Sequence, residues 1–156
     1  MNMIRAAELQ IGDWIVYNGN KYQVTYLYCR PLYPDGTFPA NEVGFTHKED
    51  FWVNGASVEP IPLTEDILKL NGFVKTDEYY YQRINGDDVY VSFPKEDSIF
   101  PYVDITYTSL IHNPEDVTEV SHSNGLIFPK KMYVHQFQQV LRICSLVDFA
   151  NNLKIQ

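Results

Sequence analysis

The sequence predicts an α+β protein: antiparallel strands, a β-rich N-terminal part, one short helix at about 65–71 and one long C-terminal helix at about 131–150. Three observations predict it. Runs rich in Tyr, Phe and Val are punctuated by Asn-Gly pairs, the pairing of strand and tight-turn residues that marks hairpins. A short segment after Pro60-Ile61-Pro62 carries helix start and stop signals together. A C-terminal stretch places apolar residues three and four apart. The aromatic content, with 12 Tyr, 9 Phe and 2 Trp in 156 residues, agrees with half-buried strands, where a tyrosine ring packs and its hydroxyl reaches water.

The first hairpin runs from Trp14 to Tyr28 around Asn18-Gly19, which supplies the positive φ values of a two-residue turn. In its second arm Tyr22, Val24, Tyr26 and Tyr28 share one face by the period of two. The Gly12-Asp13 pair before the opening strand is similar to the start of small SH3-like barrels. Pro31, Pro34, Asp35-Gly36 and Pro39 then break the chain into turns, with short strands at 42–46 and 51–53. These elements suggest a β-rich lobe over 1–57, and an α+β lobe over 58–156, or one continuous domain.

The short helix is argued from its ends. Thr64 is an N-cap, Glu65 and Asp66 complement the helix dipole, and Leu63 and Leu68 form a hydrophobic staple. Asn71-Gly72 stops it in a left-handed turn that folds Phe73 back on Leu68.

Next come a hairpin of 79–84 and 89–93 around Asn85-Gly86-Asp87, and a strand alternating Val103, Ile105 and Tyr107 with Tyr102, Asp104 and Thr106. A final hairpin is read from Val117–Ser121 and Leu126–Phe128, turning at Asn124-Gly125. On the long helix Val134, Phe137, Leu141 and Cys144 make an apolar stripe, flanked by Val140 and Val147. His135, Gln138, Gln139 and Arg142 fall on the other side, which is expected to face outward and is the candidate partner-binding surface.

Charge bounds the function. The net charge is −8, and positions 49–119 hold 15 acidic against 4 basic residues. Such a balance repels phosphate backbones, so nucleic-acid binding is disfavoured. The acidic pairs Asp77-Glu78, Asp87-Asp88, Glu96-Asp97 and Glu115-Asp116 fall beside turns, as solubilising loops do; a nucleic-acid mimic is the sharper alternative. No apolar signal stretch opens the chain and no run is long enough for a bilayer, so a cytoplasmic location without membrane contact is expected.

No catalytic motif stands out. Cys29 and Cys144 lie far apart without a CxxC pair, and Cys144 in mid-helix on an apolar face is a poor nucleophile. His47, His112 and His122 sit in polar surroundings without metal-ligand spacing, so no metal or other cofactor is expected. An orphan hydrolase with a composite His and carboxylate pocket is the alternative to a non-enzymatic interaction protein.

Three segments together resemble one family. They are Ala7-Glu-Leu-Gln-Ile-Gly-Asp-Trp14, Val58-Glu-Pro-Ile-Pro-Leu-Thr-Glu-Asp-Ile-Leu68 with Asn71-Gly-Phe73, and Tyr133-Val-His-Gln-Phe-Gln-Gln-Val140. In order and spacing they are similar to an uncharacterised family of small proteins from gut-bacterial genomes, phages and prophages. The resemblance implies phage association and no activity. One departure stands out: where that family ends its helix in Thr-Gly, this chain has Ser145-Leu146, and the helix is expected to run on.

Overall fold

A computed structural model describes residues 4, 8–28, 34–35, 42–44, 52–54, 58–93, 101–113, 116–128 and 131–156. Cys29, His47 and the pair Glu96-Asp97 lie outside the described residues. The chain is mixed α+β with antiparallel sheets and divides into two compact units. One comprises residues 1–62 with 133–139, the other residues 63–132 with 140–156.

In the first unit the chain builds two three-stranded sheets. β1 (Trp14–Tyr17) pairs with β2 (Asn20–Gln23) across the two-residue Asn18-Gly19 turn, whose φ values of 49° and 76° are those the Asn-Gly signal requires. The second arm does not continue as one strand. It stops at Gln23, and β3 (Tyr26–Tyr28) pairs instead with β4 (Glu42–Gly44), which pairs with β5 (Trp52–Asn54). Val24 is still held by the first arm, its N–H donating to Asp13 O at 2.8 Å and its carbonyl accepting from Gly12 N at 2.7 Å. β1 pairs on its other side with β6 (Glu59–Pro60). Ile4, Leu9, Ile15, Val24 and Val58 form the apolar cluster beneath, with Tyr17, Tyr22 and Leu27 at its margin.

The second unit opens with α1 (Glu65–Leu70), and its cap and its left-handed stop are realised. Thr64 Oγ1 accepts from Ile67 N at 3.3 Å. At the other end Phe73 N donates to Leu68 O and Gly72 N to Lys69 O, with Gly72 at φ 88°, the paired bonds of a Schellman stop. Leu63, Leu68 and Phe73 are all buried. Asn71 also pins the C-terminal tail, donating to Lys154 O and accepting from Lys154 N, each at 2.7 Å.

A five-stranded antiparallel sheet follows, ordered β11-β10-β9-β8-β7. Its strands are β7 (Val74–Lys75), β8 (Tyr80–Ile84), β9 (Asp87–Ser92), β10 (Tyr102–Asn113) and β11 (Asp116–Ile127). Val89, Val91, Val103 and Ile105 are fully buried, so the alternation read from the sequence marks the covered face. Asp87 is a strand residue paired with Ile84, leaving Asn85-Gly86 as the turn.

Two expectations are corrected in this unit. Asn124-Gly125 is not a turn: it lies inside β11, opposite Ile105 and Asp104. The hairpin closes between Asn113 and Asp116, so Val117–Ser121 and Leu126–Ile127 are parts of one twelve-residue strand. An Asn-Gly pair permits a turn, but twelve cross-strand partners on β10 outweigh that local preference.

The single helix over 131–150 is likewise two short ones, α2 (Val134–Ile143) and α3 (Val147–Asn151). Ser145 adopts φ 66°, Ser145 N donates to Arg142 O at 3.0 Å and Leu146 N to Leu141 O at 2.8 Å. This is the same Schellman stop that closes α1, made here without glycine. Leu141 and Leu146 are both buried, as the apolar residues that flank such stops commonly are. The Ser145-Leu146 departure therefore does not extend the helix.

Candidate functional site

The stripe expected to face outward faces inward in part. His135 and Gln138 are buried, Gln139 and Arg142 half-buried. The contacts explain why. Gly12 bends the chain into β1 with φ 92°, a value that favours glycine, and exposes the backbone groups of Gly12 and Trp14 to side-chain pairing. Gln138 pairs with both: its Nε2 donates to Gly12 O at 2.9 Å and its Oε1 accepts from Trp14 N at 3.0 Å. A primary amide offers a donor and an acceptor side by side, as this fork requires. Gln23 Nε2 adds a second bond to the Gly12 carbonyl, at 3.1 Å.

Asp13 is the other buried partner, with no exposed surface. Its Oδ2 accepts from Gln10 N at 2.8 Å and from Gln139 Nε2 at 3.1 Å, and Gln139 also donates to Glu8 O. A buried carboxylate needs such donors, because losing water without them is costly. His135 stacks on the Tyr133 ring with centroids 6.0 Å apart, and its buried Nδ1 has no hydrogen-bond partner among the described residues. Burial pushes its imidazole below the ordinary value, with Asp13 and Glu8 pulling the other way. Arg142 belongs to the second unit, where its Nε donates to Asn151 Oδ1 at 3.1 Å.

The three segments that carry the family resemblance thus converge. The Gly12–Trp14 backbone meets Gln138, and Pro62 bridges to Tyr133 while Val134 N donates to Ile61 O at 2.8 Å. Chemically the arrangement holds backbone in place. Gln138 and Gln139 have their amides committed to it, and His135 is screened from solvent.

The other candidates scatter. His122 lies on β11 and stacks on Tyr107 with centroids 4.9 Å apart; it belongs to the second unit, His135 to the first. His112 is a β10 residue. Among the described residues no group of three His, Cys, Asp or Glu is arranged to hold a metal ion. Cys144 follows the last residue of α2 rather than sitting in mid-helix, and burial pushes its thiol up, with Asp87 adding to the effect. Asp88, from one acidic pair, accepts from the Tyr81 hydroxyl at 2.7 Å.

What the sequence did not reveal is the edge of the sheet. β11 is the outer strand, and every residue from Ser121 to Ile127 is exposed, Ile127 by 69%. Leu126 and Tyr107 add apolar surface, while no Lys, Arg, Asp, Glu or Pro occurs between Ser121 and Ile127. Edge strands are normally blunted by such residues, because their unpaired backbone groups accept another strand. The signal was present in the Ser-His-Ser-Asn-Gly-Leu-Ile run, but its Asn-Gly pair read as a turn and concealed a continuous edge.

By fold and site this is an α+β protein with antiparallel sheets, a glutamine-latched strand entry and an unprotected sheet edge. Comparison with protein-family models, with curated proteins and with solved structures finds no match. Among the described residues no helix is long and apolar enough to cross a membrane.

Proposed function

We propose that the chain is a non-enzymatic accessory protein, cytoplasmic and of phage or prophage origin, that binds a protein partner by adding an extended segment to the β11 edge. The supporting observation is the seven-residue exposed, uncharged stretch Ser121–Ile127 at the border of a five-stranded sheet. Backbone N–H and C=O groups along such an edge give affinity, and alternate side chains give specificity. Leu126 and Tyr107 supply apolar contacts on one face of the strand pair, and Ile127 lies on the other, with the Ser123 hydroxyl bonded to Asp104. The phage origin rests on the three-segment resemblance. The β-rich N-terminal part, SH3-like in this reading, serves as the frame.

The test is a display selection of random ten-residue peptides against the full chain, read in parallel on Ile127→Lys. Lysine on an exposed edge blocks strand addition while leaving the fold intact. Binders that lose roughly ten-fold or more with Ile127→Lys and protect β11 amides from exchange support the reading. Binders indifferent to that substitution, or none at all, overturn it. Concentration-dependent dimerisation abolished by Ile127→Lys would reassign the edge to a second copy.

A further inference from the structure

At the other border of the same sheet lies a cleft of about 250 Å³, formed by the start of α1, the β7–β8 turn and β8. The turn is tightly held: Thr76 N and Oγ1 donate to Tyr79 O at 2.8 and 2.9 Å, and Tyr79 N donates to Thr76 Oγ1 at 3.1 Å. It presents Asp77 and Glu78, both exposed, facing the same cleft as Glu65. The aromatic wall is Tyr79, Tyr80 and Phe93. Tyr79 is braced edge-on by Tyr90 at 5.0 Å, and Tyr80 by Phe93 at 6.2 Å.

Two further observations point to a ligand and to its sign. Tyr80 is 3% exposed and lines the cleft, its hydroxyl turned to the Glu65 carboxylate. Burial first, and the Glu65 carboxylate beside it second, push that hydroxyl up to about 12, so it is a neutral donor at any ordinary pH. The chain's own cation already samples the site. Lys75 Nζ stands 3.6 Å from Glu65 Oε2 and 5.7 Å from the Tyr80 ring centre. Carboxylate plus aromatic face is the pairing that attracts cations, guanidinium above ammonium because it stacks and bonds two oxygens at once.

From these the geometry points to a binding site for an alkyl guanidinium, held by Glu65, Asp77 and Glu78 against the Tyr79, Tyr80 and Phe93 rings, with Lys75 as the internal competitor it displaces. The three carboxylates outnumber Lys75 and Lys69, whose Nζ stands 3.9 Å from the same Glu65 oxygen, and this excess sets the sign of the ligand. The volume sets its size. Drug-sized ligands occupy roughly 300–1,000 Å³, so this cleft takes one side chain or a small amine. The site stands independently of the β11 edge.

The test is amide-resolved NMR titration of the full chain with agmatine and, separately, with the peptide acetyl-Gly-Arg-Gly-amide. Saturable shifts confined to Thr76–Tyr80 and Phe93, with Kd on the order of 1 mM, are expected. Glu65→Gln weakens binding roughly 2–5-fold and Lys75→Met strengthens it by a similar factor, as exposed charges do. Both positions are about half exposed, and unchanged dispersion of the remaining amides verifies folding in the same spectra. Agmatine binding as tightly as the peptide assigns the site to small guanidines, and a clear preference for the peptide assigns it to an arginine of a protein. Absence of saturation with both probes, or Glu65→Gln and Lys75→Met variants that bind like the parent, overturns the proposal.

Discussion

Gln138 closes a fork on the chain at Gly12: its amide nitrogen donates to the Gly12 carbonyl at 2.9 Å while its oxygen takes the Trp14 N–H at 3.0 Å. The residues are 126 positions apart, and both bonds are part-buried. Cutting this side chain removes two hydrogen bonds, but the Gly12 carbonyl keeps Gln23 Nε2 at 3.1 Å, so the loss is about that of one part-buried backbone bond, about 1–3 kcal/mol. Gln138→Ala is therefore expected to destabilise the protein by about 1–3 kcal/mol in urea unfolding. Gln138→Glu, which keeps the acceptor and loses the donor, is expected to be no better. A loss under about 0.5 kcal/mol for both would show that the fork does not hold the strand entry.

At the end of α2 the left-handed residue is Ser145, with φ 66°. A side chain in that region costs about 1–2 kcal/mol, which glycine avoids. Ser145→Gly is expected to raise stability by about 1 kcal/mol, seen as a melting temperature higher by roughly 2–4 °C. An unchanged or lower value would contradict the Schellman geometry at this stop.

Gly86 and Gly125 should respond in opposite senses. Gly86 turns the β8–β9 hairpin at φ 96°, so Gly86→Thr is expected to cost more than about 1 kcal/mol. Gly125 sits within β11, where an added Cβ meets only the Val103 carbonyl oxygen, at 3.9 Å, among the described atoms. Gly125→Thr is expected to stabilise by roughly 0.5–1 kcal/mol, because a strand gains from a β-branched residue. Equal penalties at the two sites would restore the turn that the Asn-Gly pair suggests.

His135 makes stability depend on pH. Its folded value lies below the ordinary 6.5 because of burial, so the unfolded chain takes up the proton first as pH falls. The stability it contributes is present above that unfolded value and is lost as pH drops through the window down to the folded value. Melting temperatures between about pH 7.5 and about pH 5 should fall more steeply for the parent than for His135→Gln. Parallel curves would show that His135 is not the titrating group.

Thr64→Ala removes the hydroxyl that caps Ile67 N and is expected to cost about 1 kcal/mol, read by urea unfolding.

The local elements were legible from the sequence because their causes are local. Thr64, Asn71-Gly72 and Phe73 start and stop α1 through bonds that span a few residues. The Asn18-Gly19 and Asn85-Gly86 turns follow from backbone geometry that Asn and Gly adopt at little cost. The buried face of β9 and β10 follows from the period of two. The family-like segments were also legible, but not that they meet one another.

Tertiary structure alone decided the rest. An Asn-Gly pair has the same local preference at 85–86 and at 124–125, yet only the second lies opposite a long partner strand, and cross-strand pairing keeps it extended. Helical periodicity carries straight through Ser145, but α2 stops there, with Leu141 and Leu146 both buried. The polar stripe of α2 looked solvated because a glutamine reads as polar wherever it stands. Only the arrival of Gly12 and Trp14, from the far end of the chain, turned Gln138 into a buried hydrogen-bonding partner. Short-range preferences are written in neighbouring residues, whereas what covers a side chain depends on segments distant in sequence, and that is where the surface of this protein was determined.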